Sequence, residues 1–487
     1  MRSWGCSRWR TSPSCSWSGG RPRAEGAALA GRTSVVELTS ILPHPAEAVW
    51  AWHARPGALE RLTPPWLRVE VLERGALADG TRTVLRVRAG PVPVRWVAEH
   101  HDVVEGRQFV DRQVEGPFEA WIHTHQFTPR GTDACEVTDR VEYSVPAGAA
   151  GGLLDPRWIR RQAERTLGYR HTILRDDLDA HARAALAPLH VALTGASGLI
   201  GSALVPFLTT GGHRVTRLVR RPPGRGELRW DPAAGALDPA GLEGLDAVVH
   251  LAGENVGAGR WTAARRRRIR SSRIEGTALL ARTLARLARR PRALAAVSGV
   301  GIYGDRGAEP LPDGSAPGPT NDFLAEVTQA WERAAEPARD AGIRVAQPRL
   351  GAVLSPRDGA LAKLLPLFRV GAGGRIGNGR QWLSWLAVDD AVGIIHHALA
   401  ADALAGPFNA VAPDAVTNAA FTATLGRVLG RPALLPVPSL AVRAVFGEMA
   451  EGTILASQRA VPTRLIASGY RFRHPRLEGA LRFLLGR

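Results

Sequence analysis

The run Thr194-Gly195-Ala196-Ser197-Gly198-Leu199-Ile200-Gly201 follows a strand-like segment, 189–193, and opens an apolar, helix-like stretch. Strand, glycine-rich turn and helix start form a grip for a dinucleotide pyrophosphate. Gly195 permits the tight turn, Gly198 lets backbone approach phosphate, and Gly201 lets the helix pack closely on its strand. The helix start offers unpaired N–H groups and a positive dipole end to the anion. A three-glycine pattern alone is an ordinary turn; here both flanks supply the required context. About 20 residues past the glycines, NAD enzymes carry an acid for the ribose 2′-hydroxyl. In this chain the second strand-like run, 213–219, ends there at Arg220-Arg221. Guanidinium groups match a 2′-phosphate, so the expected cofactor is NADP(H) rather than NAD(H). A third buried strand, 245–253, closes in Leu251-Ala252-Gly253, a small-residue loop able to pass under a nucleotide.

These groups need elements to position them. From His190 onward strand and helix patterns alternate, which predicts an α/β doubly wound parallel sheet. After about residue 400 the pattern turns mostly helical, with apolar periodicity over 418–429, 439–449 and 477–485. The preceding segment reads differently. A strand-like run, 35–42, is followed by a helical stretch, 45–62. Alternating segments come next at 67–72, 81–89, 92–101, 108–114, 120–128 and 134–145, and a long amphipathic helix closes at 156–187. That order predicts an α+β domain, a curved antiparallel sheet wrapped on a helix with a cavity between. The expected domains are therefore 33–185, 188–400 and 401–487. Residues 1–32, rich in Arg, Ser, Gly and Trp, have no periodicity and no apolar core of a signal peptide; they are expected to be disordered or an over-long start.

Bulk properties bound the function. At 487 residues more than one core is expected. No apolar run approaches a membrane span. Three cysteines make no disulfide framework, so a reducing cytoplasm is the simplest compartment. The net charge of +18 could suggest nucleic acid, but Lys363 is the only lysine and every other basic residue is arginine. The run Arg265–Arg268 is expected to be a solvated helix face, and a nucleic-acid partner is not expected. His123 and His125 sit two apart and share a strand face, with His100 or His101 near enough in sequence to join them. No acid or cysteine stands at ligand spacing, so cavity lining is expected and no metal.

Residues 33–185 resemble the START-like (SRPBCC, polyketide-cyclase-like) helix-grip domains. The phrases that carry this are Trp52-His53-Ala54-Arg55-Pro56-Gly57-Ala58-Leu59, Arg61-Leu62-Thr63-Pro64-Pro65-Trp66 and Gly116-Pro117-Phe118-Glu119-Ala120-Trp121-Ile122-His123-Thr124-His125. The resemblance implies an apolar-ligand pocket and no fixed catalytic set. Residues 190–487 resemble an atypical branch of the extended short-chain dehydrogenase/reductases, the nucleoside-diphosphate-sugar epimerase-like proteins. The phrases are Trp230-Asp231-Pro232, His250-Leu251-Ala252-Gly253-Glu254-Asn255-Val256, Ser271-Ser272-Arg273, Ser298-Gly299-Val300-Gly301-Ile302-Tyr303-Gly304 and Gly377-Asn378-Gly379-Arg380-Gln381-Trp382-Leu383-Ser384-Trp385, with Gly406-Pro407-Phe408-Asn409 and Ser457-Gln458-Arg459 in the tail. The tail fits a small C-terminal helical domain of unknown function.

That resemblance implies a Rossmann fold, NADP(H) and a small-molecule substrate. Ordinary members use a Tyr-x-x-x-Lys pair and a serine: tyrosine as acid/base, lysine to lower its pKa, serine to orient the substrate oxygen. No tyrosine here has a lysine four residues on. Counting back from Glu332, the tyrosine position is Leu324 and the lysine position Thr328; the serine position is Gly299, one residue from Ser298. Two readings stay open. One is an NADP(H)-dependent oxidoreductase with a rebuilt acid/base set drawn from Ser298, Tyr303, Asn255 and Gln381. The other holds NADP(H) without turnover, as a sensor or scaffold. Arg273, Trp382 and Trp385 are expected on the substrate side, Arg349 as a tether of a strand end, and Asp389 and Asp390 as caps of a helix beginning near Ala391.

Overall fold

The computed structural model describes residues 8–9, 33–89, 92–146 and 156–487. They form two compact units, one reaching Asp179 and the other running from Ala180 to Leu485. Apart from Arg8–Trp9, which pairs antiparallel with Leu38 and Thr39, residues 1–32 and their expected disorder lie outside the described residues.

In the first unit, β1 (Ser34–Leu42) is followed by α1 (Ala46–Ala54) and α2 (Ala58–Leu62), then by β2 (Val69–Glu73), β3 (Arg82–Ala89), β4 (Val92–Val104), β5 (Gln108–Glu115), β6 (Ala120–Pro129) and β7 (Cys135–Ser144). The helical stretch expected over 45–62 is broken in two. Pro56 and Gly57, the latter at φ 101°, turn the chain between α1 and α2. The sheet runs β1-β7-β6-β5-β4-β3-β2, every neighbour antiparallel. Alternation decides what faces inward. Buried and half-buried positions alternate along β7, which turns Val137, Asp139, Val141 and Tyr143 to one face. The long helix α3 (Pro156–Ala184) lays Ile159, Ala163 and Leu167 against Val36, Leu38, Val141 and Tyr143. The helix ends at Ala184, short of the expected 187.

The second unit opens with β8 (His190–Thr194), α4 (Gly201–Thr210), β9 (Arg214–Val219), β10 (Glu227–Asp231) and β11 (Ala247–His250). Then come α5 (Ala263–Ala285), β12 (Ala293–Ala296), α6 (Phe323–Arg333), β13 (Arg344–Leu350), α7 (Gly359–Arg369), α8 (Val388–Ala400) and β14 (Gly406–Ala410). The parallel sheet runs β10-β9-β8-β11-β12-β13-β14. Strand order reverses between β8 and β11, which opens a crevice at their carboxyl ends. The central strands β8, β11 and β12 are buried on both faces and read as nearly unbroken apolar runs. Val191, Leu193, Val249 and Ala295 face Phe207, Ile395 and Leu399. Ala192, Val248 and Leu294 face Leu280, Leu284 and Ile343. Sequence patterning placed residue 401 onward in a helical region, yet β14 completes the sheet beside β13. Short helices follow, ending in one at Leu477–Leu485 that packs with Leu425, Val428 and Trp385.

Candidate functional site

The crevice at β8 and β11 is built from short residues because backbone meets backbone there. Gly195 has φ 72°, and a Cβ on it would stand 2.9 Å from the Leu251 carbonyl carbon. A Cβ on Gly201 would stand 2.2 Å from the Gly195 oxygen. Gly198 is different: the nearest atom to its Cβ position is 3.4 Å away, so its outer side stays open. The turn closes through Gly198 N–H donating to the Gly195 oxygen at 3.0 Å. The N–H groups of Leu199 and Ile200 have no backbone acceptor among the described residues, and they precede α4. An open glycine followed by unpaired amides at a helix start is an anion cradle.

Thr194 is fully buried beneath this turn. Its Oγ1 accepts from the N–H groups of Leu251 and Ala252 at 3.1 and 3.2 Å, and lies 2.7 Å from His250 Nδ1. Burial lowers His250 to about 4, so the imidazole is neutral and Nδ1 takes the hydroxyl proton. One side chain thereby fixes the Leu251-Ala252-Gly253 loop to the glycine turn. Thr194 shapes the cradle from below, and Ser197 and Gly198 stand exposed on it.

The loop after Gly253 is held from three sides. Glu254 N–H donates to Ser272 Oγ, Arg273 donates to the Glu254 oxygen at 2.9 Å, and Asn255 Oδ1 accepts from Gly257 N–H. The Arg273 guanidinium lies 3.4 Å from the Cβ position of Gly253 and 4.9 Å from the Trp331 ring. Burial pulls Arg273 down to about 10, only partly offset by Glu254. Lys363, on α7, donates to the Gly257 oxygen at 2.7 Å. One helical turn earlier, Gly359 packs against Leu199 of the glycine turn. No spacing in the sequence announced Lys363, because α7 joins the crevice only through the tertiary fold.

At the end of β9 the two arginines differ. Arg221 makes a bidentate ion pair with Glu227 at 2.7 and 2.8 Å. Arg220 makes no side-chain hydrogen bond or ion pair among the described residues.

The expected acid/base residues lie elsewhere. Ser298 Oγ donates to Glu332 at 2.8 Å, and Arg349 grips both oxygens of Glu332 at 2.8 and 2.9 Å. Arg349 also donates to the Tyr303 hydroxyl at 3.0 Å, and that hydroxyl donates to Asn409 Oδ1 at 2.8 Å. Asn409 is held in turn by the carbonyls of Leu311 and Val461. Tyr303 is fully buried, and burial pushes its phenol up despite Arg349. Its proton is committed to a neighbour, so the expectation of Tyr303 and Ser298 as the working acid/base pair gives way to a packed scaffold. Arg349 does tether its strand end, through Glu332. At the positions counted from Glu332, Leu324 and Thr328 lie beside Gly301, so neither the phenol nor the ammonium of the usual pair is supplied there.

Other expected site residues divide. Gln381 donates to Ile376 O within its own loop, and Trp382 is covered by the Arg459 guanidinium at 4.4 Å. Trp385 is a correction: it is fully buried in the core and donates to Asp414 O at 2.7 Å. Asp389 and Asp390 do not precede a helix at Ala391. They lie inside the first turn of α8, where Asp390 accepts from the N–H groups of Arg473 and His474. The Arg265–Arg268 run is partly neutralised: Arg265 and Arg268 share Glu254, and Arg266 pairs with Glu448 and covers Phe323 at 4.4 Å. In the first unit, His123 and His125 share the face that α3 covers, each within 3.4 Å of Asp139. His100 pairs with Asp111 at 2.6 Å, while His101 turns to Glu99. No described helix is long and apolar enough to cross a membrane.

Comparison with known proteins covers both units. Residues 191–411 match the NAD dependent epimerase/dehydratase family, 42–168 match the polyketide cyclase / dehydrase and lipid transport family, and 437–484 match a domain of unknown function, DUF1731. The epimerase family protein Mb2239 of Mycobacterium bovis is 42% identical over 292 residues, which is 60% of this chain and 96% of that protein. The human epimerase family protein SDR39U1 is 39% identical, over 60% of this chain and 99% of its own length. Among solved structures, the nucleoside-diphosphate sugar epimerase from Corynebacterium glutamicum is 35% identical. It aligns over 93% of this chain and 90% of that one, with TM-score 0.76. The human SDR39U1 structure, solved with NADPH, is 37% identical over 61% of this chain and 99% of that one, with TM-score 0.57.

Proposed function

Since the chain belongs to the epimerase family typified by these relatives, we propose that its second unit binds NADP(H) in the crevice between β8 and β11. The cradle of Gly198, Leu199 and Ile200 takes the pyrophosphate, and Arg220 takes the 2′-phosphate. Leu251, Ala252 and Gly253 form the floor, and Lys363 and Arg273 brace the loop that borders it. The carrying observation is the arginine at the end of β9 with no partner among the described residues, in a family with a relative solved with NADPH. In this reading the protein is an NADP(H)-dependent oxidoreductase-type member whose hydride chemistry proceeds without the Tyr–Lys pair. The first unit holds an apolar ligand on the face that α3 covers, as its family match suggests.

A second reading is favoured by one specific observation. The Tyr303 phenol and the Ser298 hydroxyl are both committed to buried partners, which supports holding NADP(H) without turnover. Calorimetric titration with NADPH and with NADH tests the common part: NADPH should bind much more tightly than NADH. Equal binding, or none in folded nucleotide-free protein, would remove the assignment. Steady NADPH oxidation with any carbonyl compound would remove the second reading.

A further inference from the structure

Beyond the crevice, the second unit leaves an apolar surface uncovered. The helix Ser439–Phe446 reads Ser-Leu-Ala-Val-Arg-Ala-Val-Phe, apolar nearly all round, yet only Val442 is buried. A helix of that composition belongs inside a core. Here Leu440 is 74% exposed and Val445 60%, so the helix presents apolar side chains to solvent. Leu434, 84% exposed, and Leu435 project from the segment before it, and Leu367 and Val370 do the same at the end of α7. Single exposed leucines are ordinary; a cluster carried by two neighbouring segments is not.

Backbone contacts bring the two segments together. Val437 N–H donates to the Arg375 oxygen at 2.8 Å, and Gly377 N–H donates to the Val437 oxygen at 2.9 Å. Arg431 Nε donates to the Arg369 oxygen at 3.1 Å. A Cβ on Gly371, next to Val370, would stand 3.4 Å from Pro432. Pro432, Pro436 and Pro438 fix φ along the segment that carries Leu434 and Leu435, so its shape is set before anything binds. Arg260, in the loop after Asn255, donates to the Ala444 oxygen at 3.1 Å, so this face adjoins the loop that borders the crevice.

The charge around this patch has one sign. From Gly359 to Val388 the charged residues are Lys363, Arg369, Arg375 and Arg380, and from Val416 to Gly447 they are Arg427, Arg431 and Arg443; neither stretch holds an acid. Arg427 and Arg443 pair with Glu478 and Glu451. Arg369, Arg375, Arg380 and Arg431 have no acid partner among the described residues. A second copy of this chain would set arginine against arginine, and residues 1–32, with six arginines and one acid, would do the same. The exposed side chains of the patch are aliphatic, without the Trp and Tyr anchors that concentrate binding energy in protein interfaces. Projecting aliphatic tips beside unneutralised arginines match a bilayer surface, with acyl chains to take the tips and anionic headgroups to meet the charge.

We propose that this face docks the protein onto an anionic lipid bilayer. Leu434, Leu435, Leu440 and Val445 enter the boundary between headgroups and acyl chains, and Arg369, Arg375 and Arg431 meet lipid phosphates. The helix has 8 residues, so it lies in the interface and does not cross it. The surface lies outside the nucleotide cradle, and the proposal stands whether or not the crevice takes NADP(H).

The test is sedimentation of the full chain with vesicles of phosphatidylcholine alone and of phosphatidylcholine with ~30% phosphatidylglycerol, both at about 0.15 M salt. The protein should sediment with the anionic vesicles and much less with the neutral ones. Leu434→Gln with Leu440→Gln leaves the charge unchanged and should lower the partition coefficient by about 10-fold or more. Arg369→Gln with Arg375→Gln should lower it by about 10-fold. Val114→Thr, at an exposed apolar residue of the first unit, should leave it unchanged. No partition onto anionic vesicles, or equal partition onto neutral ones, overturns the proposal. Partition that the leucine pair retains also overturns it, because net charge alone would then be responsible. Self-association that the leucine pair abolishes, without vesicle binding, assigns the face to a second copy and overturns it too. Should either pair fail to fold, hydrogen exchange of the wild type decides: anionic vesicles must slow amide exchange over 439–446, and unchanged exchange there overturns the proposal.

Discussion

Replacing Arg220 by Gln should convert an NADPH-selective crevice into one that no longer distinguishes the two cofactors. Arg220 and Arg221 are adjacent, exposed to the same solvent and identical in charge, so sequence gives no reason to prefer either. The structure does. Arg221 is already neutralised by the bidentate pair with Glu227, and Arg220 has no such partner. A hydrogen bond between a guanidinium and a phosphate contributes about 1.5–3 kcal/mol. At about 1.4 kcal/mol per factor of ten, Arg220→Gln should weaken NADPH about 10- to 100-fold and leave NADH within about twofold. Arg221→Gln should change NADPH binding only a few-fold. Glu227→Gln should tighten NADPH, because it frees Arg221 and removes a carboxylate facing the phosphate. Calorimetric titration of the three variants with both cofactors reads all of this. The reasoning is refuted if Arg220→Gln weakens NADPH and NADH equally, or if Arg221→Gln has the larger selective effect.

Other perturbations follow from the same geometry. Gly201→Ala places a methyl group 2.2 Å from the Gly195 oxygen, so it should open the turn and abolish measurable NADPH binding in calorimetry. Glu332→Gln leaves Arg349 without its buried counter-charge and should destabilise the second unit by about 3 kcal/mol in denaturant unfolding. Lys363 is the only lysine, so reductive methylation modifies one side chain besides the N-terminus; saturating NADPH should slow it if the α7–Gly257 contact closes over bound cofactor.

Much of the dinucleotide crevice was legible in sequence because backbone geometry dictates it. A φ of 72° at Gly195 and the sub-van der Waals clearance at Gly201 admit few residues besides glycine, so the pattern and the fold constrain each other. The strands of both units were legible for a similar reason: alternation exposes one face, and unbroken apolar runs are buried on both. What sequence could not show was commitment of side chains to distant partners. Tyr303 and Asn409 are 106 residues apart, and only the fold shows the phenol already spent on Asn409 and Arg349. Trp385 looked like a site residue beside Trp382, but the two side chains part on either side of Ser384, one into the core and one under Arg459. The split at Pro56-Gly57 and the strand at Gly406–Ala410 were missed because apolar periodicity over a short run does not separate helix from strand or turn.

A buried row of charges in the first unit, in which His125 lies between Asp111 and Asp139 and His171 meets Asp139, makes a further prediction whose sign depends on both of its ends. Asp139 is held well below the ordinary carboxylate value: burial opposes its charge, and His125, His123 and His171 more than compensate. A carboxylate depressed in the folded state contributes stability that is present above its unfolded value near 4 and is lost as pH falls toward its folded value. His125 acts in the opposite sense. Its folded value, about 9, lies above the unfolded 6.5, so its contribution is fully present below pH 6.5 and is lost as pH rises through 9. His53 and His123, which burial lowers to about 4, contribute stability that is lost as pH falls below 6.5. Thermal unfolding of the first unit should therefore show greatest stability near pH 6.5 and decline on both sides. Asp139→Asn should remove most of the alkaline limb, because His125 then lacks its nearer carboxylate and titrates lower. A variant that keeps the alkaline limb unchanged would mean that Asp111 alone holds the imidazolium. The row would then be two separate pairs, His125 with Asp111 and His171 with Asp139, rather than one connected network.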